Sequence, residues 1–107
     1  MAVINSIQIK QGILSIGSNP LISYPRGFQG SVSFLFNNPI AYDIEINVTR
    51  VSNGTTVQLY ALSLDPGDTV NVTELFLFPG DSIAVVTSVA GTSYQMSYSS
   101  VPFAKIP

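Results

Sequence analysis

One pattern of eleven residues occurs twice in the chain and limits the fold more than any other feature. The copies are residues 62–72 and 75–85, offset by 13 residues at every matched position. Each copy has two leucines before a Pro-Gly-Asp tripeptide and two branched apolar residues after it. Proline fixes φ at the first central position of a type II turn, glycine accepts positive φ at the second, and aspartate accepts hydrogen bonds from nearby backbone N–H groups. Each copy therefore predicts a strand, a tight turn and a second strand.

The remaining segments also indicate short strands. Residues 42–51 show the clearest alternation of apolar and polar side chains, and the Asn-Gly within residues 52–54 supplies the positive φ values of a type I′ hairpin turn. Residues 4–10 predict a strand, residues 11–12 a turn, and residues 13–16 its partner strand. No segment has helical periodicity beyond one turn. About eight short strands predict an all-β fold, an antiparallel β-sandwich with a jelly-roll or Greek-key connection rather than a closed barrel.

The length of 107 residues predicts one domain, residues 1–107, with a core large enough to need no disulfides. Residues 17–30 contain five glycines and prolines and predict the long loop of the domain. Residues 101–107 contain two prolines and predict an extended C-terminal tail. The N-terminal residues lack the basic and apolar regions of a secretory signal, so we expect no export by that route.

Charged residues are scarce. They make up 9% of the chain, against about 25% in ordinary soluble domains, whereas apolar residues reach 46%. No apolar run is long enough to span a membrane. Such a chain is expected to cover part of its surface with other protein; the alternative is a surface of uncharged Ser, Thr, Asn and Gln. The four cations are scattered and provide no basic stripe, so we expect no nucleic-acid partner and no membrane partner.

Few residues offer reactive chemistry. The sequence has no cysteine and no histidine, which excludes disulfides, thiolate and imidazole catalysis, and metal sites built on these ligands. Asp65 and Asp68 flank a turn, but calcium takes about six to eight oxygen ligands, so a turn-forming role is favoured. Asp43 and Glu45 share a strand face and are interpreted as solvated rather than as a glycosidase pair. We therefore expect no enzymatic activity, no catalytic or metal-binding residue and no cofactor.

The order of motifs over residues 30–100 is similar to the order found in a known group of proteins. An Asn-Gly hairpin precedes Leu-Tyr-x-Leu-x-Leu-x-Pro-Gly-Asp-Thr-Val, which begins at Leu59, and Leu-x-Leu-x-Pro-Gly-Asp-Ser-Ile-x-Val begins at Leu75. A segment of small residues and a tyrosine-rich strand follow. The chain is similar in this to the small β-sandwich accessory proteins encoded among the structural genes of tailed bacteriophages. The resemblance implies a non-enzymatic structural protein of the virion, made in the host cytoplasm.

The first functional hypothesis is therefore a capsid decoration (cement) or head-associated protein. It would bridge capsid subunits by binding the major capsid protein, other virion proteins or further copies of itself, as a homo-oligomer. Exposed aromatic, arginine and apolar side chains are the usual anchors of protein interfaces. We predict such anchors in the 17–30 loop, in the strand at residues 75–78 that is apolar on both faces, and in the tail: Tyr24, Arg26, Phe28, Phe76, Phe78, Phe103 and Ile106.

The second hypothesis is a carbohydrate-binding β-sandwich of a phage fibre or receptor-binding apparatus. It requires exposed, coplanar tyrosines that stack on sugar rings, and Tyr42, Tyr60, Tyr94 and Tyr98 are the candidates. Packing within the core or between strands is the alternative use of these rings.

Overall fold

The computed structural model describes residues 7–102, which form nine strands and no helix. Two antiparallel sheets enclose one apolar core, so the predicted all-β sandwich is confirmed. Sheet A has the order β1 (Ile7–Ile13), β8 (Ser93–Ser99), β3 (Phe28–Asn37) and β6 (Thr69–Leu77), and the short β9 (Val101–Pro102) also pairs with β3. Sheet B has the order β2 (Gly17–Ser23), β7 (Ser82–Thr87), β4 (Ile44–Ser52) and β5 (Thr55–Leu64).

Most connections pass between the two sheets. From β1 to β8, only the β4–β5 hairpin joins two strands of the same sheet. This is the connectivity of a jelly roll, one of the two predicted arrangements. The hairpin has the predicted turn, because Asn53 and Gly54 have φ values of 53° and 76° and both central residues of a type I′ turn need positive φ.

The two Pro-Gly-Asp turns of the repeat are built alike. In the first turn, Asp68 N donates to Asp65 O (3.0 Å) and Asp65 N donates to the Asp68 carboxylate (2.9 Å). In the second, Asp81 N donates to Phe78 O (3.0 Å) and Phe78 N donates to the Asp81 carboxylate (3.0 Å). The two turn glycines have φ values of 85° and 89°. The first turn carries the chain from sheet B to sheet A and the second carries it back, so the repeat forms two successive crossings between the sheets.

Alternate residues of the strands fill the space between the sheets. Phe34 and Phe36 of β3 lie at its centre, with ring centroids 5.3 Å apart and planes inclined by 10°. Both rings are buried, as are Ile44, Ile46 and Val48 of β4. Full burial of one such side chain contributes about 1.5–3 kcal/mol, and this shared core holds the two sheets together.

The predicted turn at residues 11–12 is wrong. Gln11 and Gly12 continue β1, opposite Gln95 and Tyr94 of β8, and the strand predicted at residues 13–16 is not formed because Ile13 ends β1. A Cβ atom on Gly12 would lie 3.1 Å from the Tyr94 hydroxyl oxygen. Glycine is therefore used here to leave room for a ring rather than to turn the chain.

The predicted loop at residues 17–30 is also wrong. Gly17–Ser23 form β2, and Phe28 already begins β3, so only residues 24–27 remain as a loop. Pro20 is tolerated because β2 is an edge strand with a register shift between Pro20 and Ile22. In the predicted tail, Val101–Pro102 pair with β3 as β9, whereas residues 103–107 lie outside the described range.

Candidate protein-contact surface

Several of the predicted contact residues lie together at one end of the sandwich. The loop at residues 24–27 lies beside the turn at residues 78–81, because Tyr24 N donates to Asp81 O (2.9 Å) and Gly80 N donates to Tyr24 O (2.9 Å). The loop leads into β3, and the turn follows β6. We call this region the aromatic end and define it by the exposed side chains of four residues: Arg26, Phe28, Phe76 and Phe78.

Phe76 and Phe78 form an exposed aromatic pair. Their ring centroids are 5.0 Å apart and their planes are inclined by 68°, an edge-to-face arrangement that aromatic pairs favour. The rings are 48% and 55% exposed, whereas Leu75 and Leu77, which alternate with them, are buried. Phe28 is 40% exposed and therefore does not close over the core. The prediction that this segment is apolar on both faces is correct, and the outward face holds two large rings in solvent.

Tyr24 is not a surface residue, and its predicted contact role is wrong. It is 3% exposed, and its hydroxyl donates a hydrogen bond to the backbone carbonyl of Ser99. Burial, with a smaller effect from nearby Tyr98, raises the pKa of the Tyr24 hydroxyl. Tyr24 therefore anchors the loop to the end of β8. Phe103 and Ile106, also predicted as contacts, lie outside the described residues.

Sequence reasoning missed a second apolar feature, on β1. Apolar residues of an alternating strand usually face the core, yet Ile7, Ile9 and Ile13 are 72%, 63% and 71% exposed. They lie opposite serines of β8, whereas Lys10 lies opposite the buried Met96. The isoleucines therefore project from the outside of sheet A. A period of two separates the two faces of a strand but does not show which face is buried. The sequence therefore does not predict that the isoleucines of β1 point outward.

We define the outer face of sheet A as the residues of β1, β8 and β3 whose side chains point away from sheet B. Every one of these residues is uncharged. The isoleucines of β1 border a row of serines on β8 and β3, and Leu35 (39% exposed) lies beyond them. Phe76 lies opposite Ser31 of β3. The outer face of sheet A is therefore continuous with the aromatic end.

The opposite end of the sandwich carries carboxylates. Asp68 accepts the Asp65 N–H within the turn, which is the turn-forming role expected from the sequence. The negative charge of Asp43, followed by that of Asp68, raises the pKa of Asp65. Glu45 is exposed, as predicted for a solvated side chain. Residues 7–102 contain no group of three potential ligands that would hold a metal ion.

This charge repulsion gives a pH-dependent prediction. Because the pKa of Asp65 is raised in the folded state, Asp65 stabilises the fold at pH values below its ordinary pKa of 3.8. This stabilisation is lost as the pH rises through the pKa of Asp65 in the folded state. We expect D43N to raise the melting temperature slightly at pH 7, and this gain to disappear near pH 3. E45Q, which changes a neighbouring exposed carboxylate, is the control. A D43N gain that persists unchanged in acid would contradict this explanation.

The tyrosines do not form the platform that a carbohydrate-binding role requires. Tyr94 is 9% exposed and belongs to the core. Tyr98 packs against the core and donates its hydroxyl hydrogen to the side-chain oxygen of Gln8 (2.8 Å). Tyr42 and Tyr60 are exposed, in the loop before β4 and on β5 respectively. The predicted set of four rings is thus divided between the core and the surface.

Comparison with known proteins identifies the fold. No protein-family model matches the chain, and no curated protein matches its sequence. A solved structure of a protein from Bacillus endospore appendages, which form a family of disulfide-linked pili, has a similar fold with a TM-score of 0.63. The similarity covers 94% of this chain and 88% of the appendage protein, at 8% sequence identity. At this identity the likeness establishes a shared fold. Residues 7–102 contain no helix long and apolar enough to cross a membrane.

Proposed function

We propose that the chain is a non-enzymatic structural protein that is built into a larger protein assembly. One observation carries this proposal: the aromatic end and the outer face of sheet A form a continuous surface that is rich in exposed apolar side chains. Large apolar side chains that are exposed together on one surface mark contacts with other protein. The small number of charges favours assembly, because few ions must be desolvated when the surface is covered.

The magnitudes show that several anchors must act together. Full burial of a phenylalanine side chain contributes about 1.5–3 kcal/mol, and Phe76 and Phe78 already have about half of their surface covered. Docking these two rings therefore gains roughly 1.5–3 kcal/mol in total, whereas association costs about 4–15 kcal/mol of lost translational and rotational freedom. The exposed isoleucines of β1 provide further apolar area on the same continuous surface.

The structural neighbour supports an assembled role. The appendage protein shows that this fold occurs in pili. Those pili are disulfide-linked, whereas the present chain has no cysteine. An assembly of this chain is therefore held by surface contacts, and we expect it to be unaffected by reducing agents.

The finer form of the proposal is a capsid decoration or head-associated protein of a tailed bacteriophage, located in the virion. Its support is the resemblance of the motifs over residues 30–100. This form predicts that purified phage particles contain the chain in a fixed ratio to the major capsid protein, which quantitative mass spectrometry of the particles measures. Filaments formed by the purified chain alone, together with its absence from particles, would favour an appendage instead.

The contact role of the aromatic end is tested by F76S/F78S. Both rings are about half exposed, so we expect a folded monomer with a circular dichroism spectrum like that of the wild type. Incorporation into the assembly, measured by co-sedimentation, is expected to fall at least about tenfold, which corresponds to about 1.4 kcal/mol.

The matched control is Y42S, which removes an aromatic ring that is 71% exposed at the opposite end. It is expected to leave incorporation unchanged. A double variant that assembles like the wild type would contradict the contact role, and one that unfolds would show that the two rings are needed for the fold itself.

A further inference from the structure

We infer that the outer face of sheet A is a self-contact surface, on which a second copy of this chain docks about a two-fold axis. The inference rests on the proposed function and names both the partner and the surface. The aromatic end lies beside this face and remains available for other contacts.

The face consists of a ridge and a trough. The ridge is the row of Ile7, Ile9 and Ile13 on the edge strand β1. The trough runs beside it over β8 and β3, and its floor is formed by small or uncharged side chains: Ser31, Ser33, Ser93, Gln95, Ser97 and Ser99. Leu35 projects from β3 between two of the depressions in the trough. The three depressions on this face have volumes of about 440, 310 and 180 Å³.

Part of the floor of the trough, formed by Ser31, Ser33 and Ser99, can be covered at low cost. Ser31 N donates to the Ser99 hydroxyl oxygen (3.2 Å), and the hydroxyl oxygens of these two serines are 3.4 Å apart. The Ser33 hydroxyl oxygen accepts the backbone N–H of Glu74 (3.2 Å). Burying a polar group is expensive when its hydrogen bonds are lost. These three serines already have partners within the sheet, so an apolar side chain can lie on this part of the floor.

A second copy fits this shape because ridge and trough lie side by side on one face. A two-fold axis places the ridge of each copy in the trough of the other, and such an interface uses the same surface twice. The residues of this face carry no charge, and the carboxylate beside it is Glu74 on the neighbouring strand β6, so identical copies meet with little repulsion. The outer face of sheet B differs, because it carries Glu45 on β4 and a two-fold contact there would bring like charges together.

The size of the face fits a weak, reversible contact. A seven-residue strand such as β1 is about 23 Å long, and the three strands β1, β8 and β3 are about 14 Å wide. This gives roughly 320 Å² of flat area per copy and about 650 Å² for the pair, before side-chain relief is added. Weak and transient interfaces bury less than about 1,200 Å² in total. We therefore expect a reversible dimer whose population depends on concentration.

The test is sedimentation equilibrium of the full chain with two charged variants. S97E places a carboxylate on the trough floor, where Ser97 lies opposite both Ile9 and Ser33. I9E places one on the ridge, where the side chain is 63% exposed and folding is therefore not at risk. Each is expected to raise the dissociation constant for self-association at least about tenfold. The matched control N47E places the same charge on a half-buried position of β4 in sheet B and should change little.

The outcomes separate this inference from the proposed function. Loss of self-association in both S97E and I9E, with N47E unaffected, supports the two-fold contact. If both variants associate like the wild type, self-contact uses another surface and the inference is wrong while the proposed function stands. A wild-type monomer that is captured only by a different protein in a particle overturns the inference alone. A wild-type chain that neither self-associates nor joins any particle overturns both.

Discussion

Replacing Gly30 with alanine is expected to prevent stable folding. A Cβ atom at this position would lie 1.9 Å from the carbonyl oxygen of Ser99 and 2.6 Å from the Tyr24 hydroxyl oxygen. The closer atom belongs to the backbone at the end of β8, so it has no rotamer by which to move away. Overpacking of a core costs about 1–3 kcal/mol when side chains can adjust. A clash with the backbone is expected to cost more than this. Because the total free energy of unfolding of a domain is only about 5–15 kcal/mol, such a loss can prevent stable folding.

The measurement is the urea midpoint of G30A compared with that of G12A. At Gly12 an added Cβ would meet the Tyr94 ring at 3.1–3.3 Å. This side chain can shift by a few tenths of an ångström, so we expect a loss of about 1 kcal/mol or less. G30A should either fail to fold or lose several times more. Equal midpoints for the two variants would show that β8 yields at Ser99 and that the close approach is not a constraint.

Replacing Asn38 with aspartate is expected to cost about 3 kcal/mol, because a buried group loses its partners. The Asn38 side chain is fully buried and donates to the carbonyl oxygens of Tyr42 (2.7 Å) and Leu64 (3.0 Å). Its own oxygen accepts the Ile40 N–H (3.1 Å). An aspartate cannot donate both hydrogen bonds, and when ionised it sets a negative charge against two carbonyl oxygens. The loss should therefore be smaller in acid, where the carboxyl is protonated.

The neighbouring N37D is the control for this effect. The Asn37 amide is more exposed and donates to the Thr69 hydroxyl oxygen (2.9 Å) and to Asp68 O (3.3 Å). Water can replace these contacts, so we expect a loss below about 1 kcal/mol. Unfolding free energies from urea titrations at pH 7 and pH 4 compare the two variants. Similar losses at both sites would show that burial of the Asn38 amide contributes little.

Local chemistry explains which parts of the fold were predictable. The turns at Asn53-Gly54 and at the two Pro-Gly-Asp tripeptides depend on φ values and on hydrogen bonds between near neighbours. Such features can be read from a short segment. Gly12 and Pro20 alone indicate a turn and a loop, but their actual positions depend on the Tyr94 ring and on the edge of sheet B. Only the paired strands reveal these partners.

The proposed contact surface likewise combines features that depend on near neighbours with features that depend on distant residues. The exposure of Phe76 and Phe78 can be predicted, because their segment is apolar on both faces and a single strand buries one face against the core. Tyr24 was misplaced because its hydroxyl partner is 75 residues away. Asn38 was overlooked for a similar reason, since one of its partners is 26 residues away. The outward direction of Ile7, Ile9 and Ile13 follows from the register of β1 on β8, which no short segment contains.

Native mass spectrometry of the purified full-length chain over a range of concentrations tests most directly whether the protein is an assembly subunit. Dimers or larger species are predicted to increase with concentration and to be unchanged by a reducing agent, because the chain has no cysteine. A chain that remains a soluble monomer at every concentration and is absent from purified particles would contradict the proposed structural role.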